Sequence, residues 1–187
     1  MNRPSGANRR GFPGPAELRE RAAQIRLVIT DCDGVLTDAG VYVATNGTIT
    51  RRFSVRDGMG VARLRATGIE TAIVSQEQTR DIRLRATKLQ LHHVHLGAED
   101  KRTVVADIRR ATGYALGQLA FIGDDVNDLE LMSEICSAGI TGAPADAMPE
   151  ISATAHWRSI HRGGHGAFRE FAEWILRLRA PSKGQRL

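Results

Sequence analysis

Two short acidic segments carry the residues whose types and spacing could do chemistry. In the segment Asp31-Cys32-Asp33-Gly34, two carboxylates lie two residues apart, directly after an apolar run. One carboxylate of such a pair can attack and form a covalent intermediate, while the other protonates the leaving group and then activates water. A lone Asp-x-Asp is more often a turn or an incidental ion pair, so the interpretation depends on what lies nearby.

The second acidic segment, Gly123-Asp124-Asp125-Val126-Asn127-Asp128, follows another apolar run in the same way. Ligands bind at the carboxyl ends of strands in open α/β sheets, so both segments are expected at one sheet edge. Like-charge repulsion there would be costly without a cation. Because the segments offer oxygen ligands and no His, they favour Mg²⁺.

Two further side chains fit a phosphoryl-transfer site. Ser75 ends an apolar run, where its hydroxyl and nearby backbone N–H groups could hold phosphate oxygens. Lys101 begins a predicted helix, where its ammonium could face the attacking carboxylate and the phosphate. Each alone would be read as solvated surface, and only their order along the chain favours a joint role.

The elements that must position these residues alternate between strands and helices. Short apolar runs predict buried strands at 25–30, 69–75, 118–124 and 136–141. Helices are predicted near 58–67, 79–90, 100–112, 126–134 and 167–178. This alternation predicts an α/β fold, a Rossmann-like parallel sheet with right-handed crossovers and helices on both faces.

One segment departs from that alternation. Residues 40–55 alternate apolar and polar side chains around Asn46-Gly47, which is the strongest short-range signal for a hairpin. A β-hairpin is therefore predicted directly after the first strand.

The four motifs together resemble those of the haloacid dehalogenase superfamily of phosphatases. The resemblance covers about residues 25–180 and implies that Asp31 is the nucleophile and Asp33 the general acid/base. It implies that Ser75 and Lys101 bind the phosphate. It also implies that Mg²⁺ is held by Asp31, the backbone carbonyl of Asp33 and Asp124, with Asp125 and Asp128 in support.

A narrower resemblance follows from the size of the insert and from two later segments. The gap from Asp38 to Ser75 has room for a hairpin and one helix but not for a cap domain. With Val55-Arg56-Asp57-Gly58 and the segment 162–170, this capless pattern resembles the 3-deoxy-D-manno-octulosonate (KDO) 8-phosphate phosphatase family. Members of that family are tetramers in which a neighbour acts as the cap. A homotetramer is therefore expected, with the 40–55 hairpin and the 79–90 helix at its contacts.

Within this family, three residues indicate a branch. Octulosonate enzymes usually have Gly-Arg where this chain has Gln76-Glu77. Glu77, Arg85 and Lys88 instead resemble residues of the nonulosonate branch, which acts on KDN or N-acylneuraminate 9-phosphates. An Arg and a Lys can bind a sugar-acid carboxylate. Alternatively, Arg85 and Lys88 form a solvated basic face, and the substrate is KDO 8-phosphate.

The last Gly-rich segment offers one more candidate and also suggests a rival function. His165 is a candidate for touching substrate at the start of the last helix. The segments 142–147 and 166–171 resemble the phosphatase-like module of acylneuraminate cytidylyltransferases, which suggests a non-catalytic assembly module as the rival. The complete set of acidic residues, with Ser75 and Lys101, favours the enzyme. Water as the phosphate acceptor is assumed, since a phosphotransferase would look the same.

Composition and charge bound the remaining possibilities. The 187 residues favour one domain at 16–180, between a disordered leader at 1–15 and a flexible tail at 181–187. The net charge of +5 comes from residues 1–26 and 177–187, at +4 each, while residues 27–176 carry −3. A nucleic-acid binder is expected to have its basic stripe on the folded body, so none is predicted. A cytoplasmic protein without membrane spans is expected.

Overall fold

A six-stranded parallel sheet lies at the centre of residues 12–180, the part of the chain that this structure, a computed structural model, describes. Its six strands are β1 (Leu27–Thr30), β4 (Glu70–Ser75), β5 (His93–Leu96), β6 (Leu119–Ile122), β7 (Ile140–Ala143) and β8 (Trp157–Arg158), and two further strands, β2 (Thr37–Val43) and β3 (Ile49–Phe53), lie outside it. The sheet order is β5-β4-β1-β6-β7-β8, and β1 pairs in parallel with both β4 and β6.

Seven α-helices surround the sheet in the described residues. They are α1 (Pro15–Gln24), α2 (Val55–Arg65), α3 (Arg80–Lys88), α4 (Lys101–Thr112), α5 (Leu129–Cys136), α6 (Pro149–Thr154) and α7 (Ala167–Arg179). None of them is long and apolar enough to cross a membrane.

Alternate strand side chains feed two hydrophobic cores, one on each face of the sheet. Val28 and Ile73 point into a core completed by α1, α2, α3 and α7, where Phe168 and Phe171 are fully buried. Ile29 and its neighbours point into a second core formed with α4, α5 and α6. This alternation explains the near-continuous apolar runs of the strands, because a central strand is buried on both sides.

The predicted fold class is confirmed, but the boundaries differ, and strands β5 and β8 and helices α1 and α6 lie outside the predicted ranges. The run at 136–141 was predicted as a strand, but α5 continues to Cys136 and β7 begins only at Ile140. Helix α1 was not predicted. It begins at Pro15, so residues 12–15 of the predicted leader are described, and Phe12 lies edge-on to His156 with ring centroids 5.4 Å apart. Residues 1–11 of the leader and the tail at 181–187 lie outside the described residues.

The predicted hairpin is present as β2 and β3, which form a separate two-stranded antiparallel sheet. Gly47 adopts φ +80° in its turn, a left-handed conformation that favours glycine. Thr37 pairs with Phe53 at the base of the hairpin, so the hairpin begins only four residues after Asp33. The hairpin therefore lies over the carboxyl edge of the sheet.

Asp57 joins the segment after the hairpin to the last helix. Its buried carboxylate accepts hydrogen bonds from the backbone N–H groups of Gly166, at 3.2 Å, and Arg169, at 2.9 Å. It therefore caps α7, because the first N–H groups of a helix have no partners within it. Gly163 packs against the loop after β1 and Gly164 against the start of β2, so closely that a Cβ on either would overlap the backbone there. In segment 162–166, these two glycines therefore allow close packing of the backbone.

Candidate active site

The two acidic segments and Ser75 meet at the carboxyl ends of three adjacent strands. Asp31 directly follows β1, Ser75 is the last residue of β4, and Asp124 lies two residues beyond β6. Because these strands are parallel neighbours, their ends share one edge, as the strand predictions required. A cleft of about 480 Å³ opens there, and Asp31, Asp33, Ser75 and Asp124 are among the residues that line it.

Lys101 contacts Asp31 at the edge of this cleft and bridges the two acidic segments. Its Nζ is 2.9 Å from Asp31 Oδ1 and 2.6 Å from Asp128 Oδ1, and its side chain is almost fully buried. The lysine is the first residue of α4, and Asp100 before it caps the helix by accepting from the N–H of Arg102. The helix start thus fixes where the ammonium lies.

Asp124 is packed tightly against the first acidic segment. Gly34 adopts φ +85°, and a Cβ added there would overlap the Asp124 carboxylate. Only glycine therefore fits at this position. Asp124 Oδ1 is buried and has no hydrogen-bond partner among the described residues. Such an orphaned oxygen is costly unless something else binds it.

Carboxylate oxygens of Asp31, Asp124 and Asp128 all lie within 4.8 Å of one another. Three carboxylates facing one ammonium leave about two negative charges uncompensated. Burial and then repulsion from Asp128 raise the pKa of Asp31 to about 7, against the pull of Lys101. Burial and then repulsion from Asp31 and Asp128 raise the pKa of Asp124 to about 8.

A divalent cation fits this cluster. It would compensate the excess charge and bind the orphaned oxygen of Asp124, and a site made only of oxygen donors suits Mg²⁺. Asp128 is already satisfied, since its other oxygen accepts from the backbone N–H of Asp124 at 2.9 Å. Asp31 and Asp124 are therefore the side chains best placed to hold the ion, with Asp128 supporting them.

Lys101 remains charged in this setting. Although burial favours the neutral amine, the two carboxylates beside it raise the pKa of Lys101. A permanently cationic side chain beside Asp31 suits both a carboxylate nucleophile and a phosphate group.

Asp33 is held by two donors on a single oxygen. Its Oδ1 accepts from Thr37 Oγ1 at 3.0 Å and from Arg51 Nε at 2.7 Å.

Asp125, by contrast, is exposed and accepts from the N–H of Val126 at the start of a short 3₁₀ helix, Val126–Asp128. Within that turn, Asn127 donates to Gln76 across the mouth of the cleft at 3.1 Å.

The four predicted substrate-binding residues do not gather in the cleft. Glu77 lines it, but its carboxylate is paired with Arg51 at 2.9 Å. Arg85 donates to the carbonyl of Ser54 at 2.7 Å and lies over the ring of Phe53. Lys88 is exposed at the end of α3.

His165, the fourth of these, also lies outside the cleft of its own chain. Its ring contacts Arg52, and it lies with Arg56 and Arg169 along a separate surface groove. The packing of the Gly-rich segment explains this position, because Gly164 is hydrogen-bonded to Val35 and holds the segment to the outside of the loop.

Arg51 is the site residue that the sequence analysis missed. A signal was available: Ile49, Arg51 and Phe53 share one face of β3, so a cation interrupts an apolar face. A charge in such a place requires a partner, and the acidic loops are the nearest candidates.

Comparisons with known proteins agree with this geometry, although no protein-family model matches the chain. The chain is 34% identical to the 3-deoxy-D-manno-octulosonate 8-phosphate phosphatase KdsC of Yersinia pestis, over 88% of this chain and 86% of that protein. It is 36% identical to the protein of the same name from Haemophilus influenzae, over 88% and 90% of the two chains.

A solved structure with bound ligands is similar as well. It is the crystal structure of 3-deoxy-D-manno-octulosonate 8-phosphate phosphatase from Moraxella catarrhalis in complex with a magnesium ion, a phosphate ion and KDO. The TM-score is 0.82 at 32% identity, and the alignment covers 87% of this chain and 92% of that one. These relatives match the present chain over nearly all of its described part.

Proposed function

The chain belongs to the 3-deoxy-D-manno-octulosonate 8-phosphate phosphatase family of the haloacid dehalogenase superfamily, and we propose that it hydrolyses KDO 8-phosphate. It is a phosphoric monoester hydrolase that uses Mg²⁺. The observation that best supports this choice of substrate is the similarity to the Moraxella catarrhalis enzyme, whose structure contains magnesium, phosphate and KDO together.

The reaction proceeds in two steps that the arrangement of carboxylates supports. An Asp31 oxygen attacks phosphorus, and the bond from phosphorus to the sugar oxygen breaks as Asp33 gives that oxygen a proton. Water then attacks the phosphorus of the acyl phosphate while Asp33 takes up its proton. The bond between phosphorus and Asp31 breaks, which restores the carboxylate and releases inorganic phosphate.

Lys101 and Ser75 contribute binding and orientation. The Lys101 ammonium holds Asp31 at 2.9 Å and offers charge to the phosphate. Ser75 is buried at the end of β4, and the N–H of Glu77 donates to its hydroxyl oxygen at 3.1 Å, which leaves its proton for a phosphate oxygen. Asp31, the Asp33 carbonyl and Asp124 would hold Mg²⁺, which would neutralise part of the phosphate charge.

Nonulosonate 9-phosphates are the second candidate substrates. They are favoured by Gln76-Glu77, which stands where octulosonate enzymes usually have Gly-Arg. Two observations argue against them: Glu77 is paired with Arg51, and Arg85 is engaged with Ser54 and Phe53 of its own chain. Residues committed to partners within the chain are less available to a sugar acid.

A phosphate-release assay against sugar-acid phosphates tests the substrate. We expect kcat/KM for KDO 8-phosphate to exceed that for KDN or N-acylneuraminate 9-phosphate by about tenfold or more, as one well-placed polar contact would give. Lys88→Ala, which removes an exposed side chain, is expected to change kcat/KM for KDO 8-phosphate by less than about threefold.

A higher kcat/KM for the nonulosonate 9-phosphates would support the nonulosonate hypothesis instead, if Lys88→Ala also lowers that value by one to two powers of ten. No release from any ester by the folded protein would favour the non-catalytic assembly module. Phosphate appearing on an added alcohol in place of free phosphate would indicate a phosphotransferase.

We also propose a homotetramer in which the hairpin lies against a neighbour. Val41 and Val43 on β2 are 48% and 70% exposed and share the face of the hairpin that carries Arg51, and Val41 lines the open cleft. We expect sedimentation velocity to give a tetramer, and Val43→Glu to shift it to smaller species. Ile160→Glu, at a comparably exposed apolar residue outside the hairpin, is the matched control and should leave assembly unchanged. A fully active monomer would refute the proposal.

A further inference from the structure

A single buried arginine connects the hairpin to the acid/base carboxylate. The Arg51 side chain is 1% exposed, although it lies on a hairpin whose other side chains are largely open to solvent. Its Nε donates to Asp33 at 2.7 Å, its Nη2 to Glu77 at 2.9 Å and its Nη1 to Thr79 at 2.9 Å. Asp81, in the first turn of α3, lies 3.3 Å from Nη1.

All nitrogens of the guanidinium are therefore occupied by groups from two separate segments, the loop after β1 and residues 77–81. A guanidinium is planar and its donors have fixed directions, so four acceptors around it determine its position and its tilt. A lysine at the same place would offer a point charge without this fixed orientation. The four contacts therefore fix the orientation of the guanidinium as well as balancing its charge.

The consequence falls on Asp33. Thr37 and Arg51 both donate to Oδ1, and no other described residue donates to the Asp33 carboxylate. Oδ2 is thus the oxygen on which a transferable proton must lie. With two donors fixing Oδ1, rotation of the carboxylate about its Cβ–Cγ bond would break one or both bonds.

We propose that Arg51 is a positioning residue that holds the Asp33 carboxylate so that Oδ2 faces the leaving group and the attacking water. This inference rests on the proposed function, since it assigns Asp33 the proton transfers. It also gives the hairpin a catalytic purpose, because β3 carries the arginine that orients the acid.

The expected signature is a dependence on the leaving group. A sugar alkoxide must receive a proton as the bond from phosphorus to oxygen breaks, whereas p-nitrophenolate leaves as a stable anion. The kcat/KM value reports the steps up to the first irreversible release, so it isolates proton donation from the later attack of water. A misplaced acid therefore slows the sugar phosphate far more than p-nitrophenyl phosphate.

The experiment measures kcat/KM on both esters for the full chain with Mg²⁺. Arg51→Met is expected to lower the value for the sugar phosphate by about 10²-fold, the lower range for a general acid, and that for p-nitrophenyl phosphate by less than about threefold. Arg51→Lys, which keeps the charge, is expected to show the same selectivity with a smaller loss. Arg63→Met removes an exposed arginine paired with Glu173 and serves as the matched control, with both values unchanged.

Equal losses on the two esters would overturn the inference, because they would mean that Arg51 serves the fold or the whole site. No loss on the sugar phosphate would overturn it too. If Arg51→Met does not fold by circular dichroism, the ratio in Arg51→Lys decides the question on the same terms. A wild-type chain inactive on both esters would contradict the proposed function itself, which is a separate outcome.

Discussion

Asp31→Asn is expected to lower phosphatase turnover by about 10³-fold or more, because an amide cannot form the acyl phosphate on which the reaction depends. The residue is 5% exposed, and the Lys101 ammonium lies 2.9 Å from its carboxylate at the edge of the cleft. Steady-state phosphate release with saturating Mg²⁺ measures the effect. Activity above about one hundredth of wild type would contradict the assignment.

The same variant should fold at least as well as the wild type in the absence of metal. Asparagine keeps the volume of aspartate and removes one of three clustered negative charges, and Lys101 retains Asp128 as a partner at 2.6 Å. The midpoint of thermal unfolding should therefore stay level or rise. Asp107→Asn, an exposed aspartate paired with Arg110 on α4, is the matched control and should keep full activity.

Removal of Mg²⁺ is expected to abolish activity, and its return to restore it, because the cation offsets the repulsion between the clustered carboxylates and the phosphate that must approach them. Binding should also be visible without turnover. At about a hundred times its Kd, Mg²⁺ adds about 2.7 kcal/mol to the free energy of unfolding, and so raises the unfolding temperature.

Asp124→Ala should remove most of that thermal shift, since it deletes the carboxylate whose Oδ1 lacks a partner. The variant should still fold, because it relieves repulsion with Asp31 and Asp128. Asp107→Asn again serves as the control and should keep the full shift. Full activity in chelator, or an undiminished thermal shift in Asp124→Ala, would exclude this site for the metal.

Local patterns in the sequence predicted four of the six parallel strands and five of the seven helices of the described residues, as well as the residue types at the sheet edge. Four apolar runs and the periodic segments between them were enough to predict a parallel sheet, because strands buried on both faces need apolar residues at every position. Asn46-Gly47 predicted the hairpin through its local turn preference. With parallel strands, the acidic segments and Ser75 had to meet at one edge, and this is where they lie.

The roles of residues that depend on long-range partners were harder to predict from the sequence. Glu77 and Arg85 looked like a substrate-binding set, but each has a partner in its own chain, Arg51 for one and Ser54 for the other. His165 looked like a substrate contact, but the packing of Gly163 and Gly164 places it on another surface. Spacing along a helix or loop describes local neighbours only, and these contacts cross the fold.

Arg51 shows the limit most clearly. Its position in an alternating hairpin indicated only that a charge shares a face with Ile49 and Phe53. That this charge reaches Asp33, 18 residues earlier, and Asp81, 30 residues later, depends on how the hairpin folds back over the sheet edge. The residue types specify which groups can pair, but which of them do pair depends on the fold, because a buried pair forms only where the packing of the whole chain brings its two groups together.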